Sequence, residues 1–406
     1  MPQMTKVNRL SELRAEEELL ICCARTECSS DIKARIDSLI NETLDWRYVV
    51  RLAKQHGLLG LLYWHLSTIR PQTTPDGVLS AIRDCVSEYT YQNLLLAKEL
   101  TRLIKLLNKN HIDVIPFKGP SLALEVYENL ALRRFVDLDI LIHKRDMWRV
   151  KELLLSEGYA PRDQWNVVQE TILLRDGFEY PFAHQSLKIS LEVHWVPLPV
   201  LYLSTDEATL WDNSQHLTLC GVQTLTLGHD DLLLILCAHA AKHRWVRLSW
   251  ICDIAELTNS SRDINWPHTL NRAERLHCKR RVLISLLLAH DLLDARIPES
   301  VLNQGQHDEH VLRFVEQIKR CLFQPADDSI VAIQIVNLQM KETRMEKVRL
   351  LFKLALIPTI EDYDAMPLRL SLVPLYYVIR PARLLATYAP SLLRSLFQAH
   401  FTDKER

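Results

Sequence analysis

The fold is decided within residues 115–142, which read IPFKGPSLALEVYENLALRRFVDLDILI. The stretch predicts an apolar strand that ends at Lys118 and Gly119, a short helix, and a second apolar strand. Asp137 and Asp139 lie two residues apart on this second strand, so their side chains point to the same face. Neighbouring buried carboxylates repel each other unless a positive charge lies between them. Since such oxygen ligands suit Mg²⁺ or Mn²⁺, the pattern indicates a metal–nucleotide site.

The alternative partner for these two acids is an arginine. Arg133 and Arg134 lie just upstream and could neutralise the carboxylates as salt bridges. The metal is favoured because the turn around Lys118 precedes the acids by a short distance, and this combination is typical of a phosphate site.

The turn itself reads Lys118-Gly119-Pro120-Ser121 and leads into the short helix. Proline is favoured at the first helical position, and Gly119 lets the backbone approach a ligand closely. The helix N-terminus, Lys118 and the Ser121 hydroxyl then suit a triphosphate. An ordinary strand-to-helix turn with a solvated lysine is the alternative interpretation.

A third acid, Glu192, lies on the alternating strand predicted for residues 188–195. If this strand neighbours the Asp137 strand, Glu192 completes a set of three carboxylates that could hold two cations. Glu192 would then also accept the proton of an oxygen that attacks the triphosphate, directly or through a metal-bound hydroxyl. His194 on the same strand face is a ligand or a structural histidine, and the sequence leaves both open.

The chain composition predicts a mainly helical protein. Only 9 glycines occur in 406 residues, and glycine-poor chains have few turns and bulges. With 49 basic and 50 acidic residues, the overall charge argues against nucleic acid and membrane surfaces as partners. The predicted fold class is α+β, with a small mixed β-sheet between N- and C-terminal helical regions.

Three parts are expected: an N-terminal helical region at 1–107, an α/β core at 108–205, and a C-terminal helical domain at 206–406. Strands are predicted at 113–117, 136–143, 177–182 and 188–195. Helices return after about residue 225, and residues 266–293 are predicted to form one continuous helix.

The localisation is expected to be cytoplasmic. The nine cysteines are scattered without a CxxC pair, which is typical of reduced core residues. No signal-peptide core and no run of about 18 apolar residues occurs. Residues 367–397 are apolar with interspersed arginines, but their prolines favour packing against the domain over contact with a membrane.

The predicted helix at 229–244 carries His239 and His243 four residues apart, on one face. This spacing resembles half a zinc site, yet no third ligand is near in sequence. Lys242, with Arg244 and Arg247, is better explained as a contact to the triphosphate or acceptor, or as a solvated basic helix end. The nearby tryptophans, Trp245 and Trp250, either stack on a base or lie in the core.

Several segments together resemble a poorly characterised bacterial nucleotidyltransferase family of the polymerase-β-like superfamily, often kept in biosynthetic clusters. The similarity covers most of the chain, and its combination of motifs is specific although each motif alone is not. It lies in DWRYVVRLAKQHGLLGLLY at 45–63, FKG at 117–119, Tyr127, Arg133, DLD at 137–139, GY at 158–159, LEVHW at 191–195, AHAAKH at 238–243 and RLSWICDI at 247–254.

The resemblance implies transfer of a nucleoside monophosphate from an NTP such as ATP to an acceptor, with release of pyrophosphate. It implies that Asp137, Asp139 and Glu192 bind Mg²⁺ or Mn²⁺ and act as the catalytic residues. The predicted nucleotide-binding residues are Lys118, Gly119, Ser121, Arg133 and Lys242. The chain departs from the superfamily pattern at Pro120, which has no N–H for a phosphate, and Lys118 is expected to replace that contact.

The acceptor is expected to be a hydroxyl or phosphate of a small molecule or peptide. One alternative is a non-catalytic module on the same fold that binds a nucleotide or a protein. Another is a toxin-like nucleotidyltransferase that modifies tRNA or a protein. The missing donor at Pro120 favours the former, whereas the costly buried carboxylates favour an enzyme.

Overall fold

The computed structural model describes residues 13–69, 74–199, 202–203, 207–260, 264–324, 330–368 and 370–387. Helices dominate this part of the chain, and a five-stranded mixed sheet and a two-stranded sheet accompany them. This confirms the predicted α+β, predominantly helical fold class. Of the apolar C-terminal segment at 367–397, residues 369 and 388–397 lie outside the described residues.

The N-terminal region consists of helices α1 to α5: Ala15–Cys23, Ser30–Ile40, Trp46–His56, Leu59–Ile69 and Asp76–Lys109. Helix α3 begins as predicted, with the Asp45 carboxylate accepting the N–H of Tyr48. It ends at Gly57, whose φ of 72° is the left-handed conformation that glycine adopts without strain.

The central sheet contains β1 (Val114–Pro116), β2 (Asp137–Ile142), β3 (Tyr159–Pro161), β4 (Glu179–His184) and β5 (Ser190–His194), in the order β1-β2-β5-β4-β3. Strands β2 and β5 are parallel, whereas the other pairs are antiparallel. The connecting helices are α6 (Gly119–Glu125), α7 (Met147–Ser156) and α8 (Val167–Asp176). All four predicted strands are therefore present.

One face of the sheet forms a hydrophobic core. Leu138, Ile140, Leu191 and Val193 project from β2 and β5 into a cluster that includes the C-terminal half of α5 and helix α7. Because side chains alternate along a strand, the residues between them project from the opposite face. That opposite face is where the acidic residues lie.

The C-terminal region contains helices α9 to α18, and α10 (His229–Lys242) and α11 (Leu248–Ser260) border the central sheet. The others are Glu207–Asp212 (α9), Trp266–Arg275 (α12), Lys279–Leu293 (α13), Glu299–Gln306 (α14), Glu309–Cys321 (α15), Ile330–Gln339 (α16), Arg344–Leu356 (α17) and Ile360–Ala365 (α18).

The prediction of one continuous helix over residues 266–293 was wrong. The chain breaks between α12 and α13, where His277 takes a φ of 54° and the N–H of Cys278 returns to the carbonyl of Ala273. No glycine or proline marks this break, so the helical hydrophobic pattern runs through it unchanged.

A hairpin of β6 (Gln215–Leu219) and β7 (Val222–Thr226) was not predicted from the sequence. Cys220 and Gly221 form its two-residue turn, both with positive φ. Such turns usually contain Asn-Gly or Asp-Gly, and a cysteine in the first position conceals the signal.

The N- and C-terminal helices share one hydrophobic core. Buried apolar residues of α1 to α4 belong to the same cluster as those of α10 to α15. The three-part division at 1–107, 108–205 and 206–406 stays a prediction. Within the described ranges, no helix is both long and apolar enough to cross a membrane.

Candidate active site

The acidic residues lie on the two parallel strands at the centre of the sheet. Asp139 on β2 is paired in register with Glu192 on β5, and Asp137 is paired with Ser190. Since residues opposite each other on neighbouring strands share a face, the three carboxylates project from one face. The condition set by the sequence, that the Glu192 strand neighbours the Asp137 strand, is met.

Asp139 is the most enclosed of the three acids, with 5 % of its side chain exposed. Its Oδ1 lies 3.3 Å from Nζ of Lys118 and 3.1 Å from Nε2 of His194. Burial raises the pKa of this carboxyl, but the charge of Lys118 and the hydrogen bond to His194 outweigh burial and hold the pKa below its ordinary value. Asp139 is therefore ionised.

Asp137 behaves in the opposite way. Burial and then the charges of Asp139 and Glu192 raise the pKa of its carboxyl to about 6. The nearest compensating charges, Lys118 and Arg133, only partly offset this. The acidic end of the site is thus short of positive charge, as a site that receives a cation would be.

Gly119 brings the turn before α6 against β2. Its φ is 53°, and a Cβ on this residue would lie 3.2 Å from the carbonyl oxygen of Asp137. A glycine is required here both by conformation and by space. The contact places Lys118, which also borders the site, beside Asp139.

Ser121 is not brought into the cavity. Its hydroxyl donates to the carbonyl of Pro116 and its N–H donates to the carbonyl of Lys118, and the side chain is 1 % exposed. Helix α6 is also only 7 residues long. Of the predicted turn, Lys118 and Gly119 reach the cavity.

Arg133 borders the cavity but is bound to another residue. Its Nε and one terminal nitrogen donate to the two carboxylate oxygens of Asp253 on α11, at 2.8 and 2.9 Å. Tyr127 donates to the same carboxylate at 2.7 Å. Arg133 therefore does not neutralise Asp137 or Asp139 by a direct salt bridge, and its main contact joins the sheet domain to the C-terminal helices.

A cavity of about 730 Å³ opens over the acidic residues. Its walls come from the sheet, from helices α10 and α11, and from the end of α3. The lining includes Lys54, Gln55, Lys118, Gly119, Arg133, Arg134, Asp137, Asp139, Phe178, Glu179, Glu192, His194, His239, Lys242, His243, Arg247, Trp250, Asp253 and Gln324. A space of this size is ample for a nucleotide.

Helix α10 places Lys242 in this cavity, as predicted, with Nζ 5.3 Å from the centre of the Phe178 ring. Burial lowers the pKa of Lys242, and the charges of Glu179 and Glu192 act in the opposite direction. Arg247 also borders the cavity, whereas Arg244 is not among the lining residues. Two predicted cations thus face the acids from the helical side.

The two tryptophans have different environments. Trp245 is 1 % exposed and donates to the hydroxyl of Ser285, so it is a core residue. Trp250 borders the cavity and lies against His243, with ring centres 4.7 Å apart. His239 and His243 pack on each other and on Trp250, which is a structural reason for their helical spacing.

The cavity is also lined by residues that the sequence analysis did not assign to the site, among them Glu179 on β4, and Lys54 and Gln55 at the end of α3. Glu179 interrupts an apolar predicted strand, and this was an available signal. Lys54 and Gln55 carried none, because a polar helix end is normally solvated and only tertiary packing brings this one to the site.

The residues fit a divalent cation. Donor atoms of Asp139, Glu192 and His194 lie within 4.8 Å of one another, and this is the group of potential metal ligands found in the described part of the chain. Two carboxylates and an imidazole make a reasonable donor set for a divalent ion. Nδ1 of His194 is buried without a hydrogen bond and lies 3.5 Å from Oε2 of Glu179.

Comparison with known proteins agrees with this geometry. The family described as uncharacterised nucleotidyltransferase matches residues 42–294, which is more than half of the chain and includes Lys118, Asp137, Asp139, Glu192, His194 and Lys242. A search of curated proteins finds no match. The matched residues run from just before α3 to the end of α13, and they confirm the resemblance seen in the sequence. The chain belongs to this uncharacterised nucleotidyltransferase family, and the protein is a nucleotidyltransferase.

Proposed function

We propose that the protein transfers a nucleoside monophosphate from an NTP to an acceptor and releases pyrophosphate, with Asp137, Asp139 and Glu192 as the catalytic residues. The observation that carries this proposal is the register of Asp139 opposite Glu192 on parallel strands, with Lys118 beside them. Asp139 is buried and Asp137 and Glu192 are half-buried. Acids enclosed so close together are costly to fold, so they favour a function that needs them.

The cations Lys118 and Lys242 bind the phosphates of the NTP. Both border the cavity beside the acids, and Arg247 adds a third positive charge. Their attraction for a triphosphate is strong because the walls are partly desolvated. Ser121 takes no part, since its polar groups are already hydrogen-bonded within the turn.

The reaction forms one bond and breaks one. The acceptor oxygen bonds to the α-phosphorus, the bond from that phosphorus to the α–β bridging oxygen breaks, and pyrophosphate leaves with that electron pair. For a hydroxyl acceptor, Glu192 takes the proton. Lys118 and Lys242 stabilise the charge that develops on the leaving group.

A divalent cation, Mg²⁺ or Mn²⁺, would be held by Asp139, Glu192 and Asp137, and when bound it neutralises phosphate charge and polarises the α-phosphorus. The residues contribute orientation: the parallel register keeps the two carboxylates on one face, and Gly119 keeps Lys118 close to them.

The acceptor is proposed to be a small molecule or a peptide that offers a hydroxyl or a phosphate. Basic side chains in the cavity are balanced by acids, with Lys54, Lys118, Arg133, Arg134, Lys242 and Arg247 against Asp137, Asp139, Glu179, Glu192 and Asp253. Such a balance is unlike the basic stripe of an RNA-binding surface.

The test is calorimetric titration of ATP, GTP, CTP and UTP, each with Mg²⁺ or Mn²⁺, followed by assay of pyrophosphate release with a panel of hydroxyl and phosphate compounds. Wild type is compared with Asp139→Asn and with Asp84→Asn, an exposed acid remote from the site. We expect binding of one NTP that is lost in Asp139→Asn alone. Failure of all four NTPs to bind the folded protein would overturn the proposal, and binding without release would favour the non-catalytic module.

A further inference from the structure

His194 occupies a central position among the acids of the site. Its Nε2 lies 3.1 Å from Oδ1 of Asp139 and 3.7 Å from Oε2 of Glu192. On the other side of the ring, Nδ1 lies 3.5 Å from Oε2 of Glu179. Three carboxylates therefore surround one imidazole that is only 2 % exposed.

Aromatic rings hold this imidazole in place. Phe117 meets it edge-on with ring centres 5.1 Å apart, and Phe178 lies on another side at 6.0 Å. Nδ1 makes no hydrogen bond in this structure although it is fully buried. A buried nitrogen that lacks a hydrogen bond is rare, and a slightly closer approach of this nitrogen to Glu179 would give it one.

A bound cation provides that arrangement. Adjacent ligands of an octahedral ion with bonds of about 2.1 Å stand about 3 Å apart, which matches the separation of Nε2 from the Asp139 oxygen. With Nε2 on the ion, the proton resides on Nδ1 and is donated to Glu179. A carboxylate behind a metal-bound histidine is a common way to fix both the tautomer and the ring orientation.

Lys118 places a positive charge beside the carboxylate of Asp139, at the position proposed for the cation. Its Nζ lies 3.3 Å from the same Asp139 oxygen that contacts His194. The ammonium thus compensates the carboxylate in place of an ion, and its flexible stem allows it to move to the phosphates when an ion arrives.

We propose that His194 binds a divalent cation directly together with Asp139 and Glu192, that Glu179 orients its ring, and that this position therefore prefers Mn²⁺ to Mg²⁺. The inference deepens the proposed function, on which it rests for the role of the ion. Mg²⁺ favours an all-oxygen shell and gives up water reluctantly, whereas transition metals accept imidazole nitrogen. A nitrogen ligand on the ion therefore shifts the preference of the site from Mg²⁺ toward Mn²⁺.

The test uses Mn²⁺ alone as the probe, with pulsed electron paramagnetic resonance on the full chain without nucleotide. Wild type is expected to show hyperfine coupling between the Mn²⁺ and an imidazole nitrogen. Labelling the histidines with ¹⁵N should change this coupling. His194→Asn should lose this coupling and bind Mn²⁺ at least 10-fold more weakly. His268→Asn, at a half-exposed histidine beside Asp230, is the matched control and should change neither.

Two further measurements examine whether Glu179 orients the His194 ring and whether the site prefers Mn²⁺ to Mg²⁺. Glu179→Leu should weaken Mn²⁺ binding by about 10- to 100-fold while the nitrogen coupling persists. In wild type, Mg²⁺ should displace Mn²⁺ only at more than 10-fold excess, and His194→Asn should reduce that ratio. Circular dichroism of each variant establishes that it is folded.

Bound Mn²⁺ without nitrogen coupling in wild type would overturn the assignment of His194, and equal affinity for Mg²⁺ would overturn the preference. Absence of bound Mn²⁺, both without and with ATP, would also overturn the proposal. The proposed function fails separately: a protein that binds Mn²⁺ through His194 but neither binds nor transfers a nucleotide contradicts the function alone.

Discussion

Arg133 and Asp253, 120 residues apart in the sequence, form a bidentate ion pair, and the Tyr127 hydroxyl donates a third hydrogen bond to the same carboxylate. Both charged side chains are largely buried. The pair joins the segment between α6 and β2 to helix α11, and so it holds the C-terminal helices over the cavity. The shape of the cavity therefore depends on contacts between segments that are far apart in the chain.

The first prediction is that Asp253→Asn lowers the free energy of unfolding by about 3–5 kcal/mol. It removes one charge of a buried pair and leaves the guanidinium of Arg133 uncompensated. Urea denaturation measures the loss. Asp84→Asn, an exposed acid on α5, should be within about 0.5 kcal/mol of wild type, and an equal loss in both variants would contradict the role of the ion pair.

The second prediction concerns Gly119. Gly119→Ala places a Cβ 3.2 Å from the carbonyl of Asp137 in a backbone conformation of positive φ, so the turn must shift away from β2. Because Lys118 then leaves Asp139, NTP affinity should fall at least 10-fold while stability falls by about 1–2 kcal/mol. Calorimetry and urea denaturation separate the two effects. Gly77→Ala, where the added Cβ meets nothing within 4 Å, is the control and should bind NTP normally.

A third prediction is that Lys242→Met weakens NTP binding by about 10-fold or more, equivalent to about 1.4 kcal/mol. Lys242 is a half-buried cation that faces Glu179 and Glu192 across the cavity, and a phosphate would replace those acids as its partner. Lys33→Met, on the outer helix α2, should leave affinity unchanged. Calorimetric titration decides, and tight NTP binding by Lys242→Met would exclude the lysine from the phosphate site.

The fourth prediction is a loss of stability on mild acidification. His56 is buried at the end of α3, and its Nδ1 accepts the N–H of Leu248 at the start of α11. Burial and then the charge of Arg247 lower the pKa of His56 from 6.5 to about 4. The unfolded chain therefore takes up a proton before the folded chain does as the pH falls.

The stability that depends on His56 is fully present above pH 6.5 and is lost progressively down to about pH 4, by up to about 3 kcal/mol. Urea denaturation of wild type between pH 7 and pH 5 measures the slope of the free energy of unfolding against pH. His56→Gln keeps an acceptor for the Leu248 N–H without the titration, so its slope should be shallower. His268→Gln should retain the wild-type slope, and identical slopes in all three proteins would contradict the role of His56.

Part of the candidate site could be predicted from the local sequence pattern. The alternation around Asp137, Asp139 and Glu192 was sufficient to place each acid on a strand face, because side-chain direction has a period of two within any strand. The turn at Gly119 was also visible, since a glycine followed by proline is typical of a strand-to-helix turn. Local sequence did not reveal that the polar groups of Ser121 are used up inside the turn.

Contacts between segments that are far apart in the chain could not be predicted from the sequence. Arg133 was predicted to bind a nucleotide, yet its principal partner, Asp253, lies on a helix whose packing no local pattern specifies. Glu179 and Lys54 reach the cavity only because β4 pairs with β5 and the end of α3 meets the start of α11. The break at His277 was missed because no glycine or proline marks it, and the Cys220-Gly221 turn was missed because a cysteine occupies the position where Asn or Asp is usual.

By itself, the sequence determined the helical character of the chain, the position of the central strands and the chemistry of the acids, because each depends on composition or on a periodicity within a few residues. The tertiary structure decided that Asp139 faces Glu192, that His194 lies between three carboxylates, and that helices from both ends of the chain close the cavity. These relationships depend on which elements become neighbours, and that is determined by the burial of the whole hydrophobic core rather than by any single segment.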